Sequence, residues 1–307
     1  MDYRDRGVFI QRMIGVDPLR DMMERTELVG MNLISFLGET DEPDEIRRYY
    51  SALPIEKTLV FDENRQKFKD LLRQISCFLF DNYGLPRNGI IEVGAGATGF
   101  FWAEMRPEGV TNWLQTEISP RQVLENRRRN PEAAVEEGSY LELGYRDVPL
   151  ICGLSSLDTA GFHMGRAMDQ IGKALGEDGW FLHIQDVRPG DLTASAYVKK
   201  KCGRLPRESY AVEDPKRGNV VLGFDLNGER ITTVELFRRY IGEGIDEEPS
   251  LRPVLNHYVT IVEPCEDSHI PIHGFEGELY FFNSHTYLNV PSRAATVLVT
   301  LAQKVTE

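Results

Sequence analysis

Apolar residues recur at three- and four-residue spacing through Phe68, Leu71, Leu72, Ile75, Phe78 and Leu79, which predicts a helix over Asp62 to Tyr83. Gly84 supplies its stop and Pro86 forbids its continuation. The pattern then switches. Ile90-Ile91-Glu92-Val93 is an apolar run broken by one carboxylate, and it closes on Gly94-Ala95-Gly96-Ala97-Thr98-Gly99. This predicts a buried strand, a tight turn, and a helix starting at Phe100-Phe101-Trp102. Asn112 to Glu117 predicts a second strand, and Ser119-Pro120 then has the form of an N-cap with proline at the first helical position. Val148 to Leu157 and Trp180 to Ile184 are further buried strands, the latter preceded by a helix ending before the turn Glu177-Asp178-Gly179. Strands alternating with helices predict an α/β fold around a parallel sheet.

Outside this stretch the pattern changes. Asp17-Pro18 opens a helix carrying Leu19, Met22, Met23, Leu28, Val29, Met31, Leu33, Ile34, Phe36 and Leu37, ended near Gly38. Asp41 to Tyr50 is a short helix whose charges run from acidic to basic, the favourable order for its dipole. Beyond Val187, Asn227-Gly228 centres a hairpin within Gly218 to Val234. Thr232-Thr233-Val234-Glu235 has the form of a capping box that opens a helix through Tyr240, with Gly242 and Gly244 as its stops. His257 to Glu263, Gly277 to Asn283 and Ala295 to Gln303 are predicted strands. The expected division is a helical cap over 1–85, a sheet core over 86–187, an insertion over 188–256 that walls a pocket, and strands over 257–307 that complete the sheet. No internal repeat is present.

Composition narrows the function. The formal charge of −13 argues against nucleic-acid binding through bulk electrostatics. No run of 18 apolar residues occurs, so no membrane span is expected. The charged start Met1-Asp2-Tyr3-Arg4-Asp5-Arg6 lacks the apolar stretch of a signal peptide, and a cytoplasmic location is the expectation. Cys77, Cys152, Cys202 and Cys265 show no paired spacing, and the first two read as small buried hydrophobes.

The chemistry is concentrated at the glycine turn. Gly94, Gly96 and Gly99 satisfy G-x-G-x-x-G, a fingerprint of dinucleotide sites, where bare backbone and a helix N-terminus approach a ligand. Glu92, two residues before the first glycine, sits where most dinucleotide enzymes have an apolar residue. The block Glu92-x-Gly94-x-Gly96 resembles motif I of the class I S-adenosylmethionine (SAM)-dependent methyltransferases. Residues 112–125, 134–140, 148–157 and 171–184 resemble the blocks that follow in that family, in order. The resemblance implies a Rossmann-like doubly wound sheet with a closing antiparallel strand, and SAM as cofactor. It places Glu92 near the cationic methionine end and Glu117 on the ribose hydroxyls. Gly94, Ala95, Gly96, Ile118, Ser139, Tyr140 and Leu154 line the rest of the cofactor site. The family usually carries an Asp on the adenine amine where Ser139 stands, and often Pro-Gly-Gly where Glu177-Asp178-Gly179 stands.

A methyl acceptor that is a hydroxyl or thiol needs its proton removed. His163, following the 148–157 strand, is the first candidate base, with a hydrogen-bonding residue at a helix start as the alternative. Asp186 is a candidate to hold an acceptor amine or hydroxyl, whereas His183 reads as a core histidine. Cys265, His269 and His273 have metal-ligand composition, but Pro264, Pro271 and Gly274 mark a loop, and a surface or pocket-lining role is the stronger expectation. The basic runs Arg127 to Arg129 and Lys199 to Lys201 read as solvated faces. The sequence thus points to a SAM-dependent methyltransferase with a small-molecule acceptor, without nucleic acid, membrane or metal, and with a homodimer left open. An NAD(P)-dependent oxidoreductase and a non-catalytic SAM-binding protein are the alternatives. The helices before the first strand serve as a lid, as a structural cap, or as both.

Overall fold

The computed structural model describes residues 43–52, 66–157, 164–186, 209–214, 218–226, 229–262, 270–275, 278–282 and 294–305. The first helices are α1 (Pro43–Ala52) and α2 (Gln66–Tyr83). Leu72, Ile75 and Leu79 of α2 are fully buried, as the spacing predicts; Phe80, outside the predicted stripe, is fully buried too, whereas Phe78, within it, is half-buried. Burying each such side chain is worth roughly 1.5–3 kcal/mol.

The strands follow in the order β1 (Asn88–Val93), β2 (Thr111–Glu117), β3 (Ala134–Glu137), β4 (Val148–Leu154) and β5 (Leu175–Asp186). Helix α3 (Pro120–Arg129) links β2 to β3, and α4 (Met164–Ala174) precedes β5. Later in the chain come β6 (Ser209–Asp214), β7 (Gly218–Leu226), β8 (Glu229–Thr232), α5 (Thr233–Asp246), β9 (Leu251–Val262), β10 (Ile270–Phe275), β11 (Glu278–Phe282) and β12 (Ala294–Lys304).

Two units are distinguished. One comprises residues 40–185, 242–255 and 300–307, and it contains the sheet order β9-β12-β5-β4-β1-β2-β3. All four pairings among β1 to β5 are parallel. The last four residues of β1 are buried, which is why that strand reads as a run rather than an alternation. Strand β12, the last in the chain, lies between β5 and β9. The other unit, drawn from 186–241 and 256–299, carries the antiparallel ribbon β6-β7-β8, in which β7 and β8 pair through Leu226↔Glu229; Asn227-Gly228, the expected hairpin centre, lies outside the described residues. It also holds β11, parallel to β9 and antiparallel to β10.

Four local expectations are corrected. The helix after the glycine turn is a five-residue π-helical turn, Phe101–Met105, ended where Arg106 becomes extended ahead of Pro107. The turn at 177–179 is absorbed into β5 as an irregularity between the pairs Val148↔Leu175 and Leu150↔Trp180, with Asp178 at φ +57°. Helix α5 continues through Gly242 and Gly244 to Asp246. A Cβ on Gly244 would stand 2.5 Å from Met164 Cγ, so that glycine lets α5 approach α4 and does not end the helix. His273 is on a strand, paired with Tyr280, because β10 lies at the sheet edge and there tolerates Pro271. Cys265 and His269, and the helix expected over 17–37, lie outside the described residues.

Candidate functional site

Three loops converge at the carboxyl ends of β1, β2 and β4, where a doubly wound sheet opens its ligand crevice. The first is the glycine turn. Gly94 has φ +66°, and a Cβ there would lie 2.6 Å from Ser156 Cβ. Gly99, at φ +55°, would place a Cβ 2.4 Å from Gln115 Oε1. Neither position admits a side chain. Gly96 differs, because its Cβ would meet nothing nearer than Gln122 Oε1 at 3.7 Å. The space over its backbone is open to a ligand.

Glu117 ends β2 and is buried beside that turn. Its Oε2 accepts the Gly96 N–H at 3.0 Å and its Oε1 accepts the Ser119 N–H at 2.9 Å. Burial raises its pKa, and the backbone N–H groups of Ser119, Gly96 and Ile118 oppose that rise. The turn is tied to β2 a second time by Ala95 N–H donating to the Thr116 carbonyl at 3.0 Å.

Glu92 is buried within β1. Its Oε2 accepts the indole N–H of Trp113 at 3.0 Å. Burial pushes its pKa up to about 8, against the favourable pull of Trp113 and of the Trp102 and Phe101 backbone N–H groups. The carboxyl therefore caps the π-helical turn that follows the glycines. Trp113 also meets Phe101 edge-on, ring centroids 5.5 Å apart.

Beneath the glycine turn lies a polar network that the sequence reading did not single out. Asn126 Nδ2 donates to the Gly96 carbonyl at 3.0 Å and to Gln115 Oε1 at 2.7 Å. Asn130 Nδ2 donates to the Thr98 carbonyl at 2.7 Å and to Asn126 Oδ1 at 2.9 Å. The available signal was Gln115, an amide directly after Trp113-Leu114 in a predicted strand, which must find partners once buried.

The remaining candidates fall as follows. Ser119 Oγ accepts the Gln122 N–H at 3.4 Å, the predicted N-cap of α3. Ser139 and Tyr140 are buried just past β3, where Ser139 Oγ accepts the Leu141 N–H at 3.1 Å. Ile118 directly follows β2, and Leu154 ends β4. Asp186 closes β5, and its side chain, like all of His163, lies outside the description. His183 is a buried core residue as expected. Helix α1 reaches this edge: the Ser51 and Ser119 hydroxyls share a hydrogen bond at 3.2 Å, and Arg47 Nε pairs with Glu137 at 3.0 Å. The Arg127 to Arg129 run is engaged within the chain, Arg127 on the Val135 carbonyl and the other two on Glu125. Among the described residues no group of three or more His, Cys, Asp or Glu could hold a metal, and no helix is long and apolar enough to cross a membrane.

A glycine turn after β1, an acid ending β2, and the chain's last strand inserted beside β5 together define the Rossmann-like fold of class I SAM-dependent methyltransferases. No protein-family model matches the chain, and no curated protein matches its sequence. Among solved structures, it is similar to geranyl diphosphate C-methyltransferase from Streptomyces coelicolor A3(2), crystallised with Mg2+, geranyl diphosphate and S-adenosylhomocysteine (SAH). Identity there is 12%, covering 87% of this chain and 99% of that one, at TM-score 0.44. It is also similar to magnesium protoporphyrin IX methyltransferase from Synechocystis PCC 6803 with bound SAH. In that case identity is 11%, coverage is 86% and 100%, and the TM-score is 0.45.

Proposed function

We propose that the chain is a SAM-dependent methyltransferase acting on a small-molecule acceptor. The observation that carries this reading is Glu117 set against the open backbone of Gly96. The two Glu117 oxygens accept the Gly96 and Ser119 N–H groups, the Ile118 N–H also faces the carboxylate, and the acceptor capacity that remains suits a ribose hydroxyl. Glu92, Gly94, Ala95, Gly96, Glu117, Ile118, Ser139, Tyr140 and Leu154 would hold the cofactor. When bound, SAM supplies a methyl group already activated on a sulfonium.

The chain's own part is to align the acceptor and exclude water. The contacts of α1 with Ser119 and Glu137 support a lid over the nucleoside end. His163 is the proposed base for a hydroxyl or thiol acceptor, and Asp186 the group that holds an acceptor amine or hydroxyl. The net charge of −13 supports a small acceptor over a polyanionic one. The oxidoreductase reading is disfavoured by β12. In the dinucleotide-binding order 3-2-1-4-5-6, the strand beside the fifth is the next in sequence, whereas here it is the last strand of the chain.

The test is SAH release from SAM across a panel of small hydroxyl, thiol and amine acceptors, together with SAM affinity of Glu117→Ala. We expect turnover with at least one acceptor class and an affinity loss of about ten- to a hundredfold in the variant. Tight SAM binding with no turnover on any acceptor would make the chain a non-catalytic SAM-binding protein.

A further inference from the structure

The loop after β4 is held by β5 at two points. Ser155 N–H donates to the Ile184 carbonyl at 2.8 Å, and Leu157 N–H donates to His183 Nε2 at 3.4 Å. Strands β4 and β5 are in register Gly153↔His183 and Leu154↔Ile184, which sets the imidazole beside this loop. Between the two tethers, Ser156 is wedged among glycines. Its Cβ stands 2.6 Å from where a Gly94 Cβ would lie, and its Oγ 2.4 Å from where a Gly153 Cβ would lie. Ser155 itself sits at φ +48°, a left-handed conformation that a serine adopts only when its surroundings impose it.

An acceptor Nε2 has consequences for the ring. The proton must be on Nδ1, and that atom is buried with no hydrogen-bond partner among the described residues. The ring is fully buried and lies nearly parallel to Phe181, interplanar angle 13° and centroids 6.2 Å apart. Burial lowers its pKa to about 3, so the neutral form persists across the physiological range. A buried imidazole with one nitrogen on a loop N–H and the other without a partner among the described residues is a costly choice for packing alone, since an unmatched buried polar group is destabilising. Leucine would fill the space without that penalty.

We propose that His183 is a positioning residue of the donor site. As the Nδ1–H tautomer it holds the Ser155–Leu157 loop, and through Ser156 it fixes the underside of the glycine turn at Gly94. This rests on the SAM reading above. His183 does not touch the reacting atoms. It sets the loop that floors the crevice, so its loss is felt as weaker donor binding.

Two measurements test it. In ring-15N-histidine-labelled full-length protein, long-range 1H–15N correlation, assigned with His183→Gln, reads the tautomer. We expect protonated Nδ1 and unprotonated Nε2. Calorimetric titration with SAH then compares three variants. Glutamine can place an amide oxygen where Nε2 stands, whereas asparagine is one bond too short and leucine has no acceptor. We expect His183→Gln within about threefold of the unmodified protein, and His183→Asn and His183→Leu weaker by about tenfold or more. An Nε2–H tautomer, an imidazolium at neutral pH, asparagine and leucine variants that bind SAH normally, or a glutamine variant as weak as leucine would each overturn the proposal. Should the leucine and asparagine variants fail to fold, the tautomer in the unmodified protein decides. Should the unmodified protein take up no SAH, the SAM reading fails, while the tautomer still reports on His183 and its loop.

Discussion

Glu92 and Glu117 are both buried carboxyls ringed by N–H donors, yet they serve different neighbours. Glu117 joins the glycine turn to the start of α3, so its loss would loosen the turn that we propose holds the cofactor. Glu92 joins β1 to Trp113 and the π-helical turn, so its ionisation is a matter of stability first. With its folded pKa raised from 4.5 to about 8, the native state binds the extra proton. Its contribution to stability is therefore fully present below pH 4.5 and is lost as pH rises toward 8, with a slope of at most about 1.4 kcal/mol per pH unit. His183 runs the other way, its stabilising contribution present above its unfolded pKa of 6.5 and lost as pH falls toward 3. Denaturant unfolding of the unmodified protein and Glu92→Gln from pH 5 to pH 9 separates these. The variant should lose part of the decline on the alkaline side; identical slopes in both proteins would show that Glu92 is already ionised in the folded state.

At the scale of elements, glycine carries two messages that a sequence spells identically. The turn at Gly94 and Gly99 was legible because a strand, a carboxylate and three glycines at close spacing leave few alternatives to backbone exposed at a crevice. Gly242 and Gly244 read as helix stops by the same residue logic, yet α5 runs through them, because Gly244 is needed where α5 meets Met164 and Met168. That contact joins segments far apart in the chain, and no local pattern announces it. Gly244→Val raises local helix propensity, but it should cost about 1–3 kcal/mol through overpacking against α4. Thermal unfolding checks this; a variant as stable as the original would mean that the two helices are not in close contact. The Asn126–Gln115 network under the turn was hidden for a related reason. Gln115 and Asn126 sit on different elements, and only the folded register brings their amides together.

For the whole molecule, the informative feature is the order of strands. The order β3-β2-β1-β4-β5 is common to several doubly wound folds; the alternation of strands and helices announced a parallel sheet but not that order. The return of the chain's last strand to lie beside β5 separates a methyltransferase-like sheet from a dinucleotide-binding one. The strand expected over Ala295 to Gln303 is present as β12, and its place beside β5 is the one the resemblance implies. The acceptor stayed illegible because Asp186 and the segment around His163 carry no spacing signal of their own. The central claim is that the crevice over Gly96 and Glu117 takes SAM. Calorimetric titration of the purified chain with SAM, SAH and NAD in parallel tests it most directly. The account predicts saturable one-to-one binding of SAM and SAH, weakened in Glu117→Ala, with no heat from NAD. Binding of NAD with no response to either SAM or SAH would contradict it.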